Sequence, residues 1–191
     1  MILTDIKDFL VGVVESVGYL GVFFAMVLES ALIPLPSEVT MPAAGALAAE
    51  GSMNVHVAAW VGAIANVVGS LIAYGLGYKI PEETILKFIN RWGKYMLLAE
   101  HEYKKAKEWI RKYGSPVSFF SRLLPGIRTV ISLPAGVAHI PVGPFVLWTF
   151  LGSLLWCYVL TYAGFLLGEN WHDIEPFFEK FQYVIIAAGV V

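Results

Sequence analysis

The sequence predicts an all-α polytopic membrane protein, arranged as an inverted repeat with two re-entrant helical hairpins, spanning helices and amphipathic interfacial helices. Three observations predict it. The 191 residues are 58% hydrophobic and 15% charged, with a mean hydropathy of +0.68. Soluble domains carry about 25% charged residues. Two apolar runs, 57–78 and 143–168, each reach the roughly 20 residues that cross a bilayer core. Two further apolar stretches are interrupted midway by Pro34-Leu35-Pro36 and Pro125-Gly126, which a continuous helix tolerates badly. The whole chain, 1–191, reads as a single membrane domain, with repeat 1 over 1–78 and repeat 2 over 114–168.

Residues 1–16 place Ile2, Ile6, Phe9, Leu10, Val13 and Val14 near helical spacing, with Asp5, Lys7, Asp8 and Glu15 between them. That pattern predicts an interfacial amphipathic helix rather than a span. The start, MILTDIKDFL, has two acids and no basic region, so no cleavable signal peptide is expected. Residues 18–50 form two apolar arms about the proline-rich break and are read as the first re-entrant hairpin. Ser37 is placed to cap the second arm, with Glu38 in its first turn, where the helix dipole favours an acid. Glu29 lies in the first arm.

Residues 57–78 form the first span. Gly62, Ala65, Gly69 and Ala73 make a small-residue stripe suited to close helix packing. Asn66 is the strongly polar side chain of that run, and a hydrogen bond to a neighbouring helix is expected of it. Residues 79–113 hold nine of the thirteen basic residues, which places the segment in the cytoplasm. Ile85, Phe88, Ile89 and Trp92, then Trp109, Ile110 and Tyr113, predict two amphipathic helices lying on the membrane, their charges towards anionic headgroups.

The second hairpin, 115–138, has arms meeting at Pro125-Gly126, and residues 143–168 form the next span. A last span is expected over 174–191. Its apolar stretch after Lys180 has only eleven residues, about 16 Å of helix. Either the chain continues past Val191, or this helix finishes a crossing begun near Phe177. The halves share short words: Gly18 with Phe23-Phe24 matches Gly114 with Phe119-Phe120, and Pro42-Ala43-Ala44-Gly45 echoes Pro134-Ala135-Gly136. One span separates the hairpins, so they enter from opposite faces. In that architecture transporters place substrate at the midplane.

The chemistry concentrates in the hairpins. Arg122 and Arg128 come from the second, Glu29 and Glu38 from the first. A charge at membrane depth costs about 2.5–3.5 kcal/mol on insertion scales and marks a functional site. Arginine forks grip phosphate in a bidentate way, so an anionic substrate is expected, a phosphate before a carboxylate. Arg122 and Arg128 would bind it, helped by Ser37 and Thr129 at the starts of the second arms. Glu29 and Glu38 are candidates for proton coupling, or are counter-ions for the arginines. The hairpin breaks themselves are Pro34, Pro36, Pro125 and Gly126. Cys157 is the one cysteine, so no intrachain disulfide or thiolate metal site can form. His56, His101, His139 and His172 are scattered, with no metal-binding pair. No basic stripe with interleaved aromatics suggests nucleic acid, and no cofactor is expected.

The words LESALIPLPSE and FFSRLLPGIRTVISLPAG resemble the DedA family, also called the SNARE-associated Golgi or VTT-domain family. The pattern F-x-[GS]-R-x-x-P-x-x-R-x-x-x-x-x-x-A-G runs here from Phe119 through Arg122, Pro125 and Arg128 to Ala135 and Gly136. The resemblance covers nearly the whole chain. It implies a multi-pass protein of the cell membrane that moves lipid rather than an enzyme. Bacterial members flip undecaprenyl phosphate or phosphatidylethanolamine, eukaryotic relatives scramble phospholipids, and some members are linked to proton-dependent transport. By motif it makes Glu29 and Glu38 the membrane acids and Arg122 and Arg128 the essential arginines. Ser121 stands where many members have glycine, and Glu38 where others carry aspartate, so the lipid stays open. The expectation is a proton-linked flippase returning undecaprenyl phosphate to the inner leaflet. Alternatives are a phospholipid flippase or scramblase, a cation or drug antiporter, and a lipid phosphatase. Membrane lipids and protons are the expected partners, and a homo-oligomer is left open.

Overall fold

The computed structural model describes residues 2–33, 35–92, 100–124 and 127–168. The expected breaks at Pro34, Pro125 and Gly126, and the last span over 174–191, lie outside these residues. Among the described residues the secondary structure is helical throughout. In chain order the helices are α1 Ile2–Val17, α2 Tyr19–Ser30, α3 Ser37–Ala49, α4 Val55–Lys79, α5 Glu82–Trp92, α6 Glu100–Tyr113, α7 Val117–Arg122, α8 Ile127–Val130, α9 Ser132–Val137 and α10 Val142–Leu167. Two of them, α4 and α10, are long and apolar enough to cross a membrane. α4 extends the expected span 57–78 by two residues at its start and one at its end, and α10 begins and ends one residue before the expected 143–168.

Both proline-containing stretches are interrupted helices. The first arm ends with α2. Leu32 then takes a left-handed φ of 76°, and the Ile33 amide donates to the Leu28 carbonyl, a closing bond that stops a helix sharply. Leucine adopts that conformation at a cost of about 1–2 kcal/mol, offset here by packing of Leu32 against Ile85, Ile89, Tyr103, Val130 and Leu133. The second arm begins at Ser37 itself. The capping position belongs to Pro36, extended at φ −82° and ψ 110°, with no side-chain capping bond. The expected Ser37 cap is therefore one residue out of register. The Ser37 hydroxyl is buried without a hydrogen bond among the described residues. In the second stretch, α7 is followed by α8 and α9, which run on through Ile131 at helical angles.

By contact the chain falls into two compact units. One gathers α1, most of α2, α3, the first ten residues of α4 and the C-terminal part of α10. Within it α1 lies against α3. Leu10 and Val14 of α1 are buried, while Phe9 of the same predicted apolar stripe is exposed. Gly45 of α3 and Gly164 of α10 meet reciprocally. A Cβ on Gly45 would overlap the Thr161 carbonyl oxygen, and one on Gly164 would overlap that of Pro42. Asn54 starts α4: its side-chain oxygen accepts from the His56 amide at 2.9 Å and that of Val57 at 3.2 Å.

The other unit holds residues 27–34 and 65–153. It repeats the glycine device, with Gly136 of α9 against Tyr74 of α4, and Gly77 of α4 against Leu133 of α9. Its core joins Tyr74, Ala106, Ile110, Val117, Ile131, Ala135 and Phe145, beside a second cluster of Ile85, Ile89, Tyr103, Val130 and Leu133. This corrects the expected membrane-facing stripe of 79–113. Ile85, Ile89 and Ile110 are buried in the protein under α8 and α9, because apolar surface on those helices is within reach. Phe88 and Tyr113 remain exposed.

Lys107 clips α6 to α5, its ammonium 2.6 Å from both oxygens of Glu82. The buried Tyr103 phenol donates to the same carboxylate at 3.4 Å. Burial, then the Glu82 charge, then that bond push the Tyr103 phenol above its usual 10.0. A raised phenol contributes stability that is complete below pH 10 and is lost as pH rises towards the folded value. Unfolding scans from pH 9 to 12 should therefore show stability falling above pH 10, with a shallower fall in Tyr103→Phe.

Candidate substrate site

The polar residues of the second unit collect where α2 ends against the middle of α4. Gly69 makes the approach: a Cβ there would overlap the Val27 carbonyl and lie 2.7 Å from the Ser30 Cβ. Ser30 then donates to the Asn66 side-chain oxygen at 2.6 Å, the interhelical bond expected of Asn66. One turn along, Ser70 donates to the Asn66 carbonyl at 2.5 Å and accepts from Arg122 Nη2 at 2.8 Å. The same Nη2 donates to Ser132 of α9 at 2.9 Å. Arg122 is 3% exposed. Its side-chain stem is seated by a second close approach, with Gly152 of α10 against the Phe119 carbonyl and the Arg122 Cβ.

Beside this chain of hydroxyls lies an ion pair. Arg128 Nη2 of α8 stands 2.6 Å from Glu29 Oε1 of α2, with the two side chains 10% and 5% exposed. Two charges so removed from water need each other, since their desolvation is repaid only by close geometry. Arg128 faces the Glu29 carboxylate, and Arg122 donates to two hydroxyls, which accept hydrogen bonds as phosphate oxygens do. Glu38 is half-buried in the first turn of α3, in the other unit with Ser37. Thr129 is half-buried on α8. Ser30, Ser70 and Ser132 were missed by sequence reasoning. A signal existed for one of them: Asn66 and Ser70 sit four apart, on one face of an otherwise apolar span.

The VTT domain family model matches residues 35–166. The chain belongs to the VTT-domain, or DedA, family of membrane proteins. This VTT-domain protein is 32% identical over 187 residues to a Lactococcus lactis subsp. cremoris (strain MG1363) protein named alkaline phosphatase-like protein, covering 97% of this chain and 87% of the relative. It is 32% identical over 177 residues to undecaprenyl phosphate transporter A of Bacillus subtilis (strain 168), covering 92% and 85%. With undecaprenyl phosphate transporter A of Staphylococcus aureus (strain NCTC 8325 / PS 47) the identity is 29% over 181 residues, covering 93% and 89%. No solved structure matches the chain. In this VTT-domain protein both arginines, Glu38 and the hydroxyls of Ser70 and Ser132 fall inside the matched stretch, and Glu29 falls just before it.

Proposed function

We propose that this VTT-domain protein carries a polyprenyl phosphate, undecaprenyl phosphate, from the outer to the inner leaflet of the cell membrane, with a proton moving alongside. The observation that carries the reading is the buried Glu29–Arg128 pair beside the hydroxyl-bound Arg122. The names of two relatives supply the lipid. α2 with α3, and α7 with α8 and α9, act as re-entrant hairpins that enter from opposite faces. Paired details support the repeat. Gly18 and Gly114 both take left-handed φ, at 63° and 68°. The Phe23–Phe24 and Phe119–Phe120 pairs both meet edge to face, at 5.7 and 5.3 Å. The glycine device recurs at Gly45 and at Gly136. Residues 79–113 lie on the cytoplasmic side.

Coupling follows from charge. With Glu29 ionised, Arg128 is neutralised in place. A proton arriving on Glu29 frees the guanidinium, and one negative charge of the phosphate takes the carboxylate's position, so the site keeps the same net charge in both states. Arg122 takes further phosphate oxygens, helped by Thr129, while Ser37 and Glu38 serve the first hairpin's turn. The lipid tail stays in the bilayer. Moving one negative charge inward is opposed by about 2.3 kcal/mol per 100 mV, and a co-transported proton cancels that. Native mass spectrometry of the purified protein should find polyprenyl phosphate retained, and lost by at least tenfold in Arg122→Ala. Retention of phosphatidylethanolamine instead, sensitive to Glu29→Gln rather than to the arginines, would favour a phospholipid flippase. The name of the Lactococcus relative favours a second reading, hydrolysis of a lipid phosphate, which inorganic phosphate release by the purified protein would reveal.

A further inference from the structure

Buried hydroxyls on the described helices divide into those with a hydrogen-bond partner and those without. Ser70, Ser121 and Thr161 turn back and donate to a carbonyl three or four residues earlier in their own helix, the usual recourse of a hydroxyl away from water. Ser118, Thr149 and Ser153 do not. They are 0%, 0% and 1% exposed, and none has a hydrogen-bond partner among the described residues. Buried polar groups are nearly always satisfied, and an exception calls for an explanation.

Ser37 of α3 is a fourth such hydroxyl, in the other compact unit, and these three all lie on α7 and α10. Ser118 and Arg122 are four apart on α7, and Thr149 and Ser153 are four apart on α10, so each pair shares a helix face. Gly152 lies between the α10 pair. It is the point where α10 meets the Phe119 carbonyl, next to Ser118, and the stem of Arg122. The unused hydroxyls therefore lie on the two helices that meet at the contact seating this arginine, whereas the hydroxyls its Nη2 already holds are on α4 and α9.

We propose that Ser118, Thr149 and Ser153 form a second polar station for a phosphate group, reached when α7 and α10 part, with Arg122 serving both stations. This rests on the phosphate-carrying reading above. Each hydroxyl can donate to a phosphate oxygen or accept from a water that accompanies it. An oxyanion passing Arg122 thus meets donors on α4 and α9 on one side and on α7 and α10 on the other. The ligand chemistry is a phosphate monoester or free phosphate.

The test uses Ser118→Cys, Thr149→Cys and Ser153→Cys, each made singly in the full chain and reconstituted in vesicles. They are labelled with an anionic, membrane-impermeant methanethiosulfonate. The parent chain, whose one cysteine is the buried Cys157, gives the background. At least two of the three positions should label ten or more times faster than Cys157, with polyprenyl phosphate slowing the reaction at least threefold. Three positions keep the test standing if one variant does not fold. Slowing by inorganic phosphate, without binding of the polyprenyl phosphate, keeps the station and removes the lipid from the functional reading. Labelling no faster than Cys157, or labelling that neither phosphate slows, overturns the proposal.

Discussion

Arg128→Ala is expected to destabilise the protein by about 3–5 kcal/mol, because it leaves the Glu29 carboxylate buried without the guanidinium 2.6 Å away. Reversible unfolding in mixed micelles measures this. Glu29→Gln combined with Arg128→Met should recover most of the loss. No charge then remains at that place, and the replacements keep similar length. Polyprenyl phosphate binding should not return with stability, since the double variant lacks both the cation and the carboxylate it exchanges with. If stability and binding recover together, the ion pair is only structural. If the single variant costs less than about 1 kcal/mol, as an exposed pair would, the site is far wetter than its geometry indicates.

The second large effect is a contrast between neighbours on α4. Gly77→Ala would place a methyl group onto the Leu133 carbonyl, 3.1 Å from its carbon and 3.2 Å from the Val137 amide nitrogen. All of these are backbone atoms, which cannot rotate aside, so α4 and α9 must separate. Overpacking of this kind costs about 1–3 kcal/mol and sometimes more. The separation would also move Ser132 away from Arg122. A methyl group on Gly75, two residues earlier, would meet nothing within 4 Å. Gly75→Ala should therefore be neutral or stabilising, alanine being the better helix former. Thermal stability and polyprenyl phosphate binding should both fall in Gly77→Ala and both hold in Gly75→Ala. Equal behaviour of the two variants would remove the close α4–α9 contact.

Much of the fold is legible in the chain because its signals are local. An apolar run of about 20 residues has few alternatives to a spanning helix, and the ends of α4 and α10 fall within two residues of the sequence-predicted runs. Proline marks the first interruption, and the described backbone breaks there, at Leu32 and Pro36. What stays hidden depends on contacts between distant segments. The stripe of Ile85, Ile89 and Ile110 looks the same whether it meets lipid or protein, and only the nearness of Val130, Ile131 and Leu133 decides for protein. Ser37 has the residue type of a cap, but the helix starts one position early. Glu29 and Arg128 stand out in the sequence as charges in apolar surroundings, and they are brought together. Ser70 and Ser132 are ordinary in an apolar helix until Arg122 lies between them.

The central claim, that the buried arginines pass a lipid phosphate through the membrane, is tested most directly by a leaflet-resolved assay of polyprenyl phosphate in sealed vesicles. Purified protein should move the lipid between leaflets, faster when the receiving side is alkaline, with Arg122→Ala and Arg128→Ala each at least tenfold slower. Movement at the parent rate in both arginine variants would contradict it.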